Sequence, residues 1–161
     1  MAKKRIGILT GGGDVPGLNS VIKTVTYRSS ENDIEVVGLR RGWEALTHLN
    51  FDDPDSRHRY AMTLDRENTR TIDRRGGTVL HSSRTNPAKM TKLPDHLAGK
   101  DFPLSQGKGG ATNTWDLSEQ VMANLLSNAL KFSGGGTTIE IRSIAQANGI
   151  RIGVRDHGQG I

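Results

Sequence analysis

Cysteine is absent from the 161 residues, which excludes a disulfide framework, a thiolate nucleophile and any cysteine-ligated zinc site. Aromatic side chains are scarce, with two Trp, two Tyr and three Phe, too few to pave a stacking platform for single-stranded nucleic acid. No apolar run approaches the ~20 residues of a membrane span, and no signal-peptide core follows the first residues. The expected location is therefore cytoplasmic, with no membrane partner. The length leaves room for one ordinary domain or two small ones and argues against a large multidomain enzyme. What remains is oxygen and nitrogen chemistry on a glycine-rich chain, with 20 Gly and a formal charge of +5. Residues 1–103 carry 17 basic and 13 acidic side chains and residues 104–161 carry five and four. The basic excess thus belongs to the first part, where an anionic ligand such as a nucleotide, a sugar phosphate or nucleic acid is expected.

Hydrophobic patterning divides the chain. Arg5-Ile6-Gly7-Ile8-Leu9-Thr10 is a short apolar run ended by three glycines, the pattern of a buried strand entering a tight turn. Leu18, Val21, Ile22 and Val25 recur at helical spacing over residues 18–27, and Glu35-Val36-Val37-Gly38-Leu39 reads as a second strand. Right-handed crossover makes that pair parallel. A helix over 67–74 and a third strand at Thr78-Val79-Leu80 complete a predicted parallel α/β unit over residues 4–86. Residues 88–114, with Pro94, Pro103, Gly107, Gly109 and Gly110, read as a poorly packed connection. Beyond it, Val121, Leu125, Leu126 and Leu130 mark an amphipathic helix capped by Asp116 or Ser118. Two period-two runs at 138–142 and 150–154, separated by Asn148-Gly149, predict an antiparallel hairpin.

Two constellations carry candidate chemistry. Between the first strand and its helix, Gly11, Gly12, Gly13 and Asp14 form a turn whose backbone N–H groups can approach phosphate oxygens. The lack of a Lys-Ser/Thr pair rules out a Walker A loop. In order along the chain stand Gly12-Gly13-Asp14-Val15-Pro16-Gly17-Leu18-Asn19, Arg41-Gly42-Trp43, Arg75-Gly76-Gly77-Thr78 and Ser83-Arg84. This series resembles the amino-terminal part of the 6-phosphofructokinase family, over about residues 3–90 and faintly to 103. The resemblance implies that Gly13 lies beside the phosphoryl donor, ATP or pyrophosphate with Mg²⁺. It also implies that Arg84 reaches the donor's phosphates and that Asp14 shapes the loop. The family's later Gly-Gly-Asp segment and the Thr-Ile-Asp segment holding its catalytic base are missing. Thr71-Ile72-Asp73 repeats those letters but lies before the Gly76-Gly77 turn and inside a helical stretch, so it is read as coincidence.

In the second part, Asn124, Asn128 and Lys131 fall at i, i+4 and i+7 on one helix, where carboxamides and an ammonium can converge on a metal-bound triphosphate. The string from Gln120 through Ser133, followed by a hairpin and Asp156-His157-Gly158-Gln159-Gly160, resembles the ATP-binding domain of sensor histidine kinases. That resemblance implies Asn128 as a Mg²⁺ ligand and Asn124 and Lys131 at the phosphates. It further implies Asp156 as acceptor for the adenine amino group, with Gly158 and Gly160 permitting close approach. It breaks off at Ile161, before the lid and second glycine box, and no helix offers a phospho-acceptor histidine.

The expectation is an α/β fold: a partial parallel Rossmann-like phosphofructokinase unit (1–103), a junction (104–114) and an α+β histidine-kinase-like fragment of helix plus antiparallel hairpin (115–161). A chimera of this kind is expected to bind ATP or pyrophosphate weakly and to catalyse no turnover. Two alternatives stand beside it. One is a basic protein that binds nucleic acid or another polyanion. The other is residual phosphotransferase or ATPase activity in an oligomer. Uncovered sheet edges predict self-association.

Overall fold

The computed structural model describes residues 4–13, 15–50, 52–107, 109, 111–132, 139–146 and 149–156, with side chains as far as residue 125. Strand β1 (Lys4–Leu9) and strand β2 (Ile34–Leu39) are parallel, in register from Lys4 opposite Ile34 to Leu9 opposite Leu39. Helix α1 (Leu18–Ser30) makes the crossover between them. The β-α-β reading of the sequence thus stands.

The third strand does not come from residues 78–80. It is β3 (Ala61–Leu64), which pairs antiparallel with β2 after helices α2 (Trp43–His48) and α3 (Pro54–Tyr60). Leu80 lies across the sheet instead of along it. A Cβ built on Gly38 would stand 2.4 Å from a methyl of Leu80, so the bare glycine in β2 makes the socket that Leu80 fills. Leu80 joins Ile22, Val36, Leu64 and Ile72 as the main buried cluster.

The expected helix over 67–74 is reduced to a single 3₁₀ turn, Ile72–Arg74. Short polar side chains take the backbone partners that a helix would use. The Asp65 carboxylate accepts the N–H groups of Glu67 (2.8 Å) and Asn68 (2.7 Å), and Asn68 accepts that of Asp65 (3.1 Å).

Helix α1 is rotated relative to its apolar pattern. Its buried residues are Asn19, Ile22, Thr26 and Ser29, whereas Val21, assigned to the buried stripe by spacing, is 57% exposed. The cause is the polar surface on which α1 rests. The Asn19 amide donates to the carbonyls of Ile72 (2.9 Å) and Arg75 (3.3 Å), and its oxygen accepts the Val79 N–H (2.8 Å). A buried backbone needs those partners, so the carboxamide side of the helix turns inward.

Residues 90–102 hold apolar anchors that the loose connection expected over 88–114 did not include, while the described residues 103–113 are nearly all exposed. Met90, Leu97 and Leu117 are buried against Leu93, Phe102 and Trp115. Met90 and Trp115 exchange both backbone hydrogen bonds, at 2.9 and 2.8 Å, beside the short pair β4 (Leu104–Ser105) and β5 (Thr114–Trp115). A few apolar anchors suffice because each is fully withdrawn from water. Helix α4 (Ser118–Phe132) follows, its start held by the Asp116 carboxylate accepting the Ser118 N–H at 2.8 Å. The Ser118 hydroxyl first, and then this backbone contact, hold the Asp116 pKa below its ordinary 3.8. Strands β6 (Ile139–Gln146) and β7 (Gly149–Asp156) form the expected antiparallel hairpin, with Ile141 opposite Val154.

Replacing Asn19 by Ala leaves one N–H and two carbonyls without the amide, so urea denaturation should show a loss of about 2–4 kcal/mol. A pH dependence follows from His96, on the 3₁₀ turn Asp95–Leu97 that docks Leu97. Burial first, then His48 and Lys100, push its pKa below 6.5. The folded state therefore prefers the neutral ring: its contribution is complete above pH 6.5 and is lost as pH falls through the depressed folded value. The denaturation midpoint should fall between about pH 7.5 and 5.5, and His96→Gln should flatten that slope.

Candidate functional site

The glycine turn lies where β1 and β2 end, the position at which parallel α/β sheets hold ligands. Thr10 closes β1 from inside: its buried hydroxyl donates to the His81 carbonyl at 2.7 Å and lies 3.2 Å from the Thr78 hydroxyl. Gly12 then turns with φ of 83° and donates its N–H to the Ser83 carbonyl at 3.1 Å. That bond sets the turn one residue from Arg84, 72 positions later in the chain. Arg41 and Gly42, both at positive φ (62° and 58°), form the third wall. Arg41 donates its N–H to Leu80 O at 2.8 Å, and its carbonyl accepts the Ser83 hydroxyl at 2.6 Å. Three segments that are remote in sequence are therefore joined at the end of the parallel strands.

Its electrostatics favour an anion. Helix α1 starts at Gly17 with no side-chain cap and no acidic residue in its first turn, so among the described residues no carboxylate of that turn offsets its N-terminal dipole. Gly11, Gly12 and Gly13 are exposed, and a Cβ on Gly13 would meet nothing within 4 Å. The exposed Arg84 lines a cleft of about 420 Å³ with Glu44, His48, Asn86, Lys89 and Lys92. Lys89 and Lys92 were not picked out by spacing. They enter the cleft because Asn86 accepts the Ala88 N–H at 3.0 Å and curls the chain into the 3₁₀ turn Pro87–Lys89. Asx-Pro is the signal that marks this turn. Asp14 lies outside the described residues.

Asp73 takes no part in this surface. It is bonded to Lys23 at 2.9 Å, and that contact lowers its pKa. The Asp of the Thr-Ile-Asp string thus helps hold α1 to the 3₁₀ turn.

The second set is placed only in part. Asn124, Asn128 and Lys131 all fall on α4 and Asp156 ends β7, while Gly158 and Gly160 lie outside the described residues. The Asn124 amide accepts from Gln120 at 2.9 Å and donates to the Leu46 carbonyl at 3.4 Å. It therefore ties α4 to the end of α2. Among the described residues no three His, Cys, Asp or Glu side chains are grouped to hold a metal. Gly11 and Gly13, the two glycines of the turn other than Gly12 whose N–H is taken by Ser83, and Arg84 suit phosphate oxygens, so a Mg²⁺ at this surface would take most of its ligands from phosphate and water, its usual coordination.

The family model described as Phosphofructokinase matches residues 5–140. The chain belongs to the phosphofructokinase family. The match crosses the expected junction at 104–114 and covers α4, so the phosphofructokinase likeness reaches beyond the residues 1–103 to which its motifs had assigned it. A pyrophosphate–fructose 6-phosphate 1-phosphotransferase of Dictyoglomus thermophilum is 46% identical over 89 residues, covering 55% of this chain and 23% of that protein. The enzyme of the same name from Amycolatopsis mediterranei is 35% identical over 150 residues, 92% of this chain and 35% of its own length. ATP-dependent 6-phosphofructokinase 3 of Streptomyces coelicolor is 42% identical over 87 residues, 53% of this chain and 23% of that enzyme. Among solved structures, Pichia pastoris phosphofructokinase in the T-state aligns with a TM-score of 0.45 at 26% identity, over 54% of this chain and 8% of that one. The phosphofructokinase-family chain thus spans 23–35% of the length of these curated relatives.

Gly42 is the keystone of the site's backbone. A Cβ there would stand 2.7 Å from the Thr10 carbonyl oxygen and 3.3 Å from Gly11 Cα, at a φ of 58°. Gly42→Ala should cost about 1–3 kcal/mol and displace the glycine turn, read as a lowered melting temperature together with shifted amide resonances of Gly11 and Gly12.

Proposed function

We propose that this chain carries the phosphoryl-donor end of a phosphofructokinase-type site and binds the phosphate groups of ATP or pyrophosphate, accompanied by Mg²⁺, without turning them over by itself. The observation that carries this reading is the Gly12 N–H to Ser83 O bond of 3.1 Å, which sets the exposed glycine turn against Arg84 at an uncapped helix N-terminus. Glycine N–H groups are suited to grip phosphate oxygens at short range. The guanidinium of Arg84 adds a fork matched to two oxygens, and Lys89 and Lys92 extend the positive surface. Gly13 gives the phosphate its closest approach, and Asp14 is assigned to loop shape. Phosphoryl transfer needs a positioned nucleophile and base as well as a bound donor, and in the Thr-Ile-Asp string of this chain the Asp73 carboxylate is paired with Lys23.

A second reading concerns the last part of the chain. The histidine-kinase-like motif assigns Asn128 to Mg²⁺, Asn124 and Lys131 to phosphates, and Asp156, Gly158 and Gly160 to adenine. The order of α4 and an antiparallel hairpin favours it, whereas the contacts of Asn124 with Gln120 and Leu46 favour a packing role for that residue.

Calorimetry with pyrophosphate and with ATP, each with and without Mg²⁺, separates the readings. If the first site operates, both ligands bind weakly, in the high micromolar range, and Gly13→Val and Arg84→Ala each weaken them about 5- to 150-fold. Asn128→Ala then leaves pyrophosphate binding unchanged. Loss of the Mg²⁺ dependence of ATP binding in Asn128→Ala alone would favour the second site. Unchanged binding in Gly13→Val and Arg84→Ala would reject the first.

A further inference from the structure

His48, the half-buried last residue of α2, lines the same cleft as Arg84, Lys89 and Lys92. Neither the motifs nor the glycine turn gives it a role. Its ring is held from behind: Nδ1 lies 2.9 Å from the Thr47 hydroxyl and 3.2 Å from the Glu44 carbonyl oxygen, and the ring leans on that of Tyr60 with centroids 5.9 Å apart. A carbonyl can only accept. The fully buried Thr47 hydroxyl spends its own proton on the Glu44 carbonyl at 3.0 Å or the Trp43 carbonyl at 3.3 Å. The network of partners thus assigns the ring hydrogen to Nδ1.

The consequence falls on the other nitrogen. Among the described residues the only hydrogen-bond partners of the ring are those of Nδ1. In the neutral ring Nε2 then holds a lone pair that repels the oxygens of an anion, whereas one added proton makes it the donor of a charge-assisted hydrogen bond. Histidine is the side chain that makes this change near neutral pH. The charges around it are unequal. From α2, Glu44 lines the cleft, but its carboxylate is paired with Arg41 at 3.0 Å. From the segment after Ser83 come three cationic side chains, Arg84, Lys89 and Lys92. From α3 comes the Tyr60 ring. From the 3₁₀ turn Asp95–Leu97 comes His96, with Lys100 and Asp95 beside it, and the charge of His48 acts on that ring as a repulsion. A proton on His48 therefore meets mainly positive neighbours when the cleft holds no anion, and an anion seated among them reverses the balance.

We propose that His48 is a further anion-binding residue of this cleft, its Nε2 taking a proton from solvent as a phosphate group is seated against Arg84, Lys89 and Lys92. This rests on the phosphoryl-donor reading for the chemistry of the ligand, a multiply charged oxyanion, and adds that the anion binds together with a proton. By linkage, the factor by which the proton strengthens anion binding is the factor by which the anion strengthens proton binding. The arginine and lysines supply charge that does not vary across the neutral range, and His48 makes the grip on the anion respond to pH.

Sulfate is the probe for the test, because it stays a dianion throughout and brings no titration of its own. At constant ionic strength, its affinity for the full chain, followed by amide chemical shifts, should rise at least about threefold from pH 7.5 to pH 5.5. Read from the proton's side, the titration midpoint of the His48 ring protons should move up by at least about 0.5 pH unit in saturating sulfate. That measurement uses the unaltered chain and does not depend on a variant folding. His48→Gln, which keeps a polar side chain but cannot gain charge, should bind sulfate with the same affinity at both pH values, whereas His96→Gln should keep the rise. An affinity that is flat with pH in the unaltered chain would overturn the inference, as would a His48 midpoint indifferent to sulfate, a rise retained in His48→Gln, or no sulfate binding up to about 100 mM. Pyrophosphate titrated alongside tells the two failures apart: if it binds while the pH response is missing, only the role of His48 falls, and if it does not bind, the phosphoryl-donor reading falls as well.

Discussion

The buried carboxamide of Asn19 governs the arrangement of the first part of the chain. It is the point at which α1, the 3₁₀ turn at 72–74 and the backbone of Val79 are joined by three hydrogen bonds. Each bond is worth little against water, but leaving its groups unmade inside the protein is costly. The constraint therefore acts through geometry. With Asn19 turned inward, Ile22 is directed into the cluster and Val21 out of it. Val79 is held at a position from which Leu80 drops onto Gly38, and residues 81–84 then pass over the ends of β1 and β2.

The glycine turn depends on that passage. Thr10, Gly12 and Arg41 each form a hydrogen bond to residues 80–83, so the backbone around the turn comes from three segments locked by one crossing stretch of chain. Two non-glycine residues at positive φ, Arg41 at 62° and His81 at 56°, sit on this crossing. Such conformations persist where the surroundings over-determine them and are common at ligand sites. The relatives of this chain are named for transfer of phosphoryl groups from pyrophosphate or ATP. In this chain Arg84 shares a cleft with Lys89 and Lys92, and Asp73 of the Thr-Ile-Asp string is paired with Lys23.

The remainder of the chain is joined to this unit more closely than its composition suggests. Met90, Leu97 and Leu117 form their own cluster, and Asn124 reaches the carbonyl of Leu46 on α2. The extension of the phosphofructokinase match to residue 140 agrees with that continuity of packing through α4. On the first unit, α1 is pinned along the side that carries Asn19 and Lys23, whereas Val21 is 57% exposed.

Local rules reach as far as elements with strong periodicity and punctuation. The β1-turn-α1-β2 unit, α4 with Asp116 at its start and the hairpin about residues 147–148 were legible because alternation, helical spacing and glycine placement are properties of neighbours in the chain. The ordered glycine and arginine motifs made the family legible as well. Tertiary structure alone decided which face of α1 is buried, since that depended on unpaired carbonyls contributed by residues 72–75. It also decided that Leu80 fills the gap at Gly38, and that Met90, Leu97 and Leu117 form a cluster of their own. The same holds for Lys89 and Lys92, brought beside Arg84 by a turn. The physical reason is common to all four: hydrogen-bond demand and cavity shape are set by segments tens of residues away, and periodicity within a window contains no information about them.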